Sequence, residues 1–161
     1  MEFQFMTILL GVLVLVIIVS LFLFRSKSWG DKQFKLFKKL CSEVVPTEYH
    51  RDRFAKSKYG YTLKFKKTDK DYLILAFNPG WSDFSIVSKD FEVERFKLDD
   101  RDALLSGSED MGISRISIQL LGGSGIFEIT HLCRQSAPMS KDQLLTLLNK
   151  INIIELEGTS G

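Results

Sequence analysis

The side chains best suited to chemistry are two histidines and two cysteines, His50, His131, Cys41 and Cys133. Only His131 and Cys133 lie close together, at a spacing of two that places both on one face of a strand. Zinc sites normally take four protein ligands, or three and a water, with short paired spacings. Because the second pair is scattered, the pattern favours a half-buried histidine beside a core thiol, and no metal or cofactor is expected.

A glycine-rich segment, GGSG at 122–125, joins two predicted strands. It lacks the G-x-G-x-x-G spacing and the following helix of a dinucleotide site, and it lacks the G-x-S-x-G of a nucleophile elbow. It therefore predicts a hairpin turn, and no catalytic residue is identified. The alternative is an enzyme with an unrecognised active site, centred on His131 and a nearby carboxylate.

Acidic residues gather between 99 and 112, a segment whose polar and glycine-bearing sequence predicts a long loop or an irregular short helix. The D-x-D-x-D-G rhythm of a calcium-binding loop is missing. Because partners often bind long polar loops on a sheet scaffold, Asp99, Asp100 and Asp102 are the predicted protein-partner residues.

Residues 5–24 form an apolar run of twenty with no charge and no proline. A helix of this length spans roughly 30 Å, the thickness of a bilayer core. The run is longer than a signal-peptide core and no small-residue cleavage site follows it. The sequence therefore predicts an uncleaved transmembrane helix after a short tail, residues 1–4.

Positive side chains follow this run, and no lysine or arginine precedes it. Lysine and arginine near the end of a span stay on the cytoplasmic side. This predicts a single-pass protein with its N-terminus outside and its soluble domain in the cytoplasm. The flanking cations are Arg25, Lys27, Lys32, Lys35, Lys38 and Lys39.

The charge is polarised along the chain. Residues 25–70 hold 14 Lys and Arg against 5 Asp and Glu, whereas residues 71–161 hold 8 against 14. Anionic headgroups attract nearby basic residues by about 1 kcal/mol each. The six flanking cations, together with Lys64 and Lys66, are therefore predicted to contact lipid headgroups. Nucleic-acid binding is not expected, because the aromatic residues and lysines of 59–66 alternate onto opposite faces.

Residues 25–57 are predicted to be a basic juxtamembrane segment, with an amphipathic helix from Asp31 to about Val45 and a polar link at 47–57. The apolar face of this helix is expected to pack on its own domain, and the alternative is that it lies on lipid, as interfacial basic helices do. An α+β soluble domain is predicted for residues 58–157, followed by a frayed tail at 158–161. The predicted strands are 59–66, 72–77, 84–88, 91–98 with a bulge or a break near Glu94 and Arg95, and the hairpin 114–121 and 126–133. A capping box of Ser140 and Gln143 starts a last helix that should end near Asn152.

The predicted fold is α+β: an N-terminal transmembrane helix, then a mainly antiparallel sheet of about five or six strands flanked by an N-terminal and a C-terminal helix. A curved sheet closed by a C-terminal helix, as in pleckstrin-homology-like domains, would suit this order. The predicted function is a membrane-anchored binding or adaptor module, which holds the domain at the inner membrane surface to bind a protein partner or anionic lipid. An accessory subunit of a membrane complex is a further alternative, indicated by the small-xxx-small pair Thr7 and Gly11.

Overall fold

A computed structural model of the protein describes residues 32–84, 91–123 and 125–158. The predicted transmembrane run and the first two flanking cations, Arg25 and Lys27, lie outside the described residues. Within the part of the chain that is described, no helix is long and apolar enough to cross a membrane.

The chain divides into two compact units, Met1–Lys35 and Leu36–Gly161. Of the first unit, the structure describes only residues 32–35, which begin helix α1 (32–44). The second unit contains the rest of this helix and every described strand.

Seven antiparallel strands form one open sheet in the order β1-β2-β3-β7-β6-β5-β4. Two meanders, β1–β3 and β4–β7, join where β3 pairs with β7, so β1 and β4 are the two edges. The strands are β1 (His50–Lys56), β2 (Tyr61–Thr68), β3 (Asp71–Asn78), β4 (Glu92–Leu98), β5 (Arg101–Ser108), β6 (Ile113–Gln119) and β7 (Ile126–Cys133).

Helix α1 packs on one face of this sheet through Phe37, which is fully buried. Its ring centroid lies 6.1 Å from that of Tyr61, 6.4 Å from Phe77 and 6.2 Å from Phe127. These rings belong to β2, β3 and β7, so one aromatic cluster fixes the helix over the middle of the sheet. The prediction that the apolar face of α1 packs on its own domain is confirmed.

Two C-terminal helices, α2 (Lys141–Lys150) and α3 (Ile153–Glu157), complete the helical layer. The predicted capping box is confirmed: Ser140 Oγ accepts the N–H of Gln143, and the Gln143 side chain accepts the N–H of Ser140. Leu144 and Leu148 bury the inner face of α2. The last helix ends two residues earlier than expected, and α3 was not predicted.

The two faces of the sheet differ in chemistry because side chains alternate along each strand. In β2, Leu63 and Phe65 are buried beneath the helices, whereas Lys64 and Lys66 project from the opposite face, which we term the outer face. This alternation was predicted. Tyr59, which was assigned to the same strand, lies before it in a turn and is 56 % exposed.

Three sequence interpretations are wrong. The predicted polar link at 47–57 contains β1, and the predicted long loop or irregular short helix at 99–112 contains the whole of β5. The bulge or break expected in β4 is absent, since the β4–β5 register is continuous from Glu92 to Leu98. The sheet thus has seven described strands, more than the five or six expected. The predicted strand at 84–88 lies almost wholly outside the described residues.

Candidate functional site

A cluster of three hydrogen-bonded polar side chains, Tyr49, Asp71 and His131, lies on the face of the sheet that the helices cover. Tyr49 Oη donates to Asp71 Oδ1 at 2.8 Å and lies 3.1 Å from His131 Nε2. His131 Nε2 lies 3.0 Å from the same carboxylate oxygen. Burial, with the hydrogen bond to Asp71 as the next cause, raises the pKa of the Tyr49 phenol, so the phenol stays a neutral donor.

The hydrogen bonds assign the tautomer of His131. Its Nδ1 accepts the backbone N–H of Met139 at 2.9 Å, so the ring proton lies on Nε2, facing Asp71 and Tyr49. Both ring nitrogens are therefore engaged, and the imidazole joins β7 to the segment before α2.

Asp71, His131 and Cys133 bring potential metal-ligand atoms within 4.8 Å of one another. A metal on His131 Nε2 would need the ring proton on Nδ1, where the N–H of Met139 already points. These side chains therefore fit a structural hydrogen-bond network better than a metal centre. Cys41, the other free thiol, is fully buried on α1.

The enzyme alternative requires His131 to act on a substrate in an open cavity. His131 is only 4 % exposed and lines none of the three clefts described here, of about 750, 500 and 390 Å³. The largest cleft reaches Cys133, but that thiol is hydrogen-bonded to Ser136 at 3.0 Å. Neither ring nitrogen of His131 is free to deprotonate the Cys133 thiol, so these two residues do not form a catalytic dyad.

The predicted lipid-contact residues are not on one face. Helix α1, with Lys38 and Lys39, covers one side of the sheet, whereas Lys64 and Lys66 project from the outer face. They converge at the β1 edge instead. The Lys38 ammonium lies 5.7 Å from the ring centroid of Phe54 in β1, and Lys64 is the register partner of Arg53. Lys32 and Lys35 belong to the other unit.

Two arginines of β1, Arg51 and Arg53, were missed. Both are exposed, and neither has a carboxylate partner among the described residues. A register shift at Asp52 places Arg51 opposite Phe65 and Arg53 opposite Lys64, so the arginines project from opposite faces of the edge. Because β1 is exposed along its whole length, it shows no alternation by which the sequence could reveal a strand.

The two edges of the sheet carry opposite charge. Residues 50–68, which contain β1 and β2, hold seven Lys and Arg and one Asp, whereas the hairpin 92–108 holds three cations and five carboxylates. Five strands lie between the two edge strands, β1 and β4. We term residues 50–68 the basic edge.

The predicted partner-binding carboxylates belong to the opposite edge. Asp99 and Asp100 form the two-residue turn between β4 and β5, and Asp99 has a φ of 53°. Asp102 lies in β5, with its carboxylate 2.9 Å from the Lys97 ammonium. The three residues are thus held on a short hairpin, and they do not lie in a long loop.

A cleft of about 390 Å³ opens on the outer face beside the basic edge. Its floor is apolar, and Tyr72 is fixed by donating its hydroxyl to Asp69 O at 2.9 Å. The Lys64 ammonium lies 3.8 Å from the Tyr72 ring centroid. The lining residues are Lys64, Asp69, Lys70, Tyr72, Ile74, Leu132 and Arg134.

Comparison with known proteins yields no match: no family model, no curated protein and no solved structure is similar to this chain.

Proposed function

We propose that this chain is a single-pass, membrane-anchored binding module whose domain docks through its basic edge on the anionic inner leaflet. Residues 5–24 would hold the domain at the bilayer, with the N-terminus outside and the domain in the cytoplasm. The observation that carries the proposal is the charge of the basic edge, where seven cations stand against one carboxylate. A pleckstrin-homology-like arrangement remains part of the proposal, supported by an antiparallel sheet followed by C-terminal helices.

Docking edge-on suits the geometry better than docking on either face. A face-on orientation would present either the α1 lysines or Lys64 and Lys66 to the lipid, because they project from opposite sides. The β1 edge lies between these two sets and adds Arg51 and Arg53. An edge-on domain would also direct the acidic β4–β5 hairpin away from the anionic surface.

Flotation on vesicles tests this proposal. The fragment 26–161 should float with phosphatidylserine-rich vesicles and stay behind with phosphatidylcholine vesicles, and added salt should weaken the binding. Replacing Arg51 and Arg53 by Gln should weaken binding about thirtyfold, from about 1 kcal/mol for each cation. Circular dichroism should show an unchanged fold, because both side chains are exposed.

A matched control removes the same charge elsewhere. Replacing Arg95 in β4 and Lys150 in α2 by Gln should leave flotation nearly unchanged, because neither residue belongs to the basic edge. If both double variants lose binding equally, the attraction depends on net charge alone and the edge-on proposal fails. It also fails if the fragment binds neutral and anionic vesicles equally at low salt.

The second part of the predicted function is the binding of a protein partner, and we assign it to the acidic β4–β5 hairpin. In an edge-on orientation, Asp99 and Asp100 would face the cytosol, where a basic partner could reach them. Cross-linking from membranes with and without Asp99→Asn and Asp100→Asn would test this. An enzyme and an accessory subunit of a membrane complex remain alternative predictions.

A further inference from the structure

The cleft on the outer face combines cations with an apolar floor, whereas attraction to an anionic membrane surface requires only the cations. We propose that it is a phosphomonoester site, in which Arg134, Lys70 and Lys64 bind the phosphate and the apolar floor receives the adjoining carbon atoms. The lipid source of this ligand rests on the proposed function, whereas a soluble organic phosphate would not.

The balance of charge supports an anionic ligand. Three cations line the cleft against one carboxylate, Asp69. That carboxylate already pairs with Lys66 at 2.5 Å, and the hydrogen bond from Lys66 lowers the pKa of Asp69. Lys70 and Arg134 have no carboxylate within salt-bridge distance among the described residues, so their charges remain available to a ligand.

The position of these two cations is set by the backbone. The N–H of Arg134 donates to Lys70 O at 3.0 Å, which holds the end of β7 beside the β2–β3 turn. The two residues therefore start from neighbouring backbone positions and line the same cleft. Lys64 pairs with Asp52 at 3.4 Å, and its ammonium lies 3.8 Å from the centroid of the Tyr72 ring.

The number of cations favours phosphate over carboxylate. A phosphomonoester carries about −1.5 to −2 charges near pH 7 and three acceptor oxygens, enough for an arginine and two lysines. The floor of Tyr72, Ile74 and Leu132 offers apolar contact to a short stem, and about 390 Å³ lies within the range of small-ligand pockets.

Calorimetry on the full chain tests the site. The protein would be placed in phosphatidylcholine nanodiscs and titrated with phenyl phosphate, and with phenyl sulfate as a monoanion of similar shape. Phenyl phosphate should bind saturably, and phenyl sulfate should bind at least tenfold more weakly. Arg134→Gln and Lys70→Gln should each weaken phenyl phosphate binding roughly tenfold or more, as expected for charge-assisted hydrogen bonds.

The controls separate this site from the basic edge. Arg95→Gln, a cation removed from the opposite edge, should leave phenyl phosphate binding unchanged. Arg51→Gln and Arg53→Gln should weaken vesicle docking and leave the cleft intact. Failure of the site and failure of the proposed function therefore give different results.

Competition identifies the source of the phosphate. Nanodiscs containing phosphatidic acid should raise the apparent Kd for phenyl phosphate several-fold over nanodiscs with phosphatidylglycerol of equal surface charge. If the two are equal, the lipid source is rejected and a soluble phosphomonoester is the ligand. Absence of saturable binding, equal affinity for phenyl sulfate, or full binding by both Arg134→Gln and Lys70→Gln would overturn the proposal.

Discussion

At the scale of single residues, the buried cluster shows how a few polar groups fix three parts of the chain. Tyr49 precedes β1, Asp71 begins β3 and His131 lies near the end of β7. Tyr49 Oη and His131 Nε2 both converge on one oxygen of Asp71, and the other ring nitrogen holds Met139. Because each donor has an acceptor, this network can be buried without a large desolvation cost.

Tyr49→Phe tests this network with a minimal change. The ring remains, but Asp71 loses one donor, so the free energy of unfolding should fall by about 1 kcal/mol. Urea denaturation would measure the loss. The control is Tyr59→Phe, since Tyr59 is 56 % exposed and its substitution should change stability by less than about 0.5 kcal/mol. Equal effects would show that the cluster contributes little.

The sequence predicted part of this cluster. The alternation of β7 placed His131 and Cys133 on the buried side, which is correct. Asp71 and Tyr49 were not identified, because each lies at the end of an element where no periodic pattern applies. Their convergence depends on the pairing of β3 with β7, which joins residues about sixty positions apart.

At the scale of elements, the strands with apolar residues at alternate positions were predicted, whereas β1 and β5, which lack that alternation, were missed. In β6, Ile116 and Ile118 alternate with more polar residues, and the strand was correctly identified. In β5, the neighbours Ala103 and Leu104 are both buried, so alternation is lost. Edge strand β1 also lacks alternation, in its case because both of its faces are exposed.

Helix α3 is too short for a periodic signal, and a tertiary contact holds it. The Glu157 carboxylate accepts two hydrogen bonds from Arg101 in β5, each at 2.7 Å, and a third from the N–H of Leu121 at 2.9 Å. The side chains of Glu157 and Arg101 are only 12 % and 11 % exposed. This bidentate pair connects helix α3 to strand β5.

The Arg101–Glu157 pair should make stability depend on pH. The hydrogen bond from Arg101 lowers the pKa of Glu157 below its ordinary 4.5, so the unfolded chain binds this proton more readily than the folded chain. The stabilisation is complete above about pH 5 and is lost as the pH falls through the folded value. Glu157→Gln should therefore lower the Tm most at pH 7 and least at pH 3.

Thermal unfolding followed by circular dichroism at both pH values measures this difference. Glu109→Gln is the control, because Glu109 lies in the exposed β5–β6 turn with no salt-bridge partner among the described residues. Its effect on the Tm should be small at both pH values. A Glu157→Gln deficit that does not shrink on acidification would contradict the assigned role of the carboxylate.

At the scale of the whole molecule, a charge gradient along the sequence becomes a charge gradient across the sheet. The sequence predicted a basic first half and an acidic second half. The topology places the start of the sheet at one edge and β4 at the other, because the second meander joins through its last strand. The sequence could not show this, since the order of the two meanders depends on the β3–β7 pairing.

This polarity gives the predicted membrane orientation a consistent physical basis. The flanking cations of residues 25–39 and the basic edge would both favour the cytoplasmic leaflet. If the domain were outside instead, these charges would have to cross the bilayer, and the inner-leaflet attraction would be lost.

Thiol labelling of the full chain in intact cells tests the orientation. Both native cysteines are buried, Cys41 at 0 % and Cys133 at 2 % exposure, and burial also raises the pKa of the Cys41 thiol. Because a maleimide reaches a buried thiol poorly, both should label slowly in the folded domain. A cysteine added after Gly161 should react with an impermeant maleimide only after permeabilisation, whereas Gln4→Cys should react in intact cells.

The same assay tests whether the flanking charges set this orientation. Replacing Arg25 and Lys27 by Gln, together with Glu2→Lys and Gln4→Lys, narrows the difference in Lys and Arg number across residues 5–24 from six to two. The fraction of chains whose C-terminal cysteine reacts in intact cells should then rise. Labelling of the unaltered chain at its C-terminus without permeabilisation would contradict a cytoplasmic domain, and with it the docking of the basic edge on the inner leaflet.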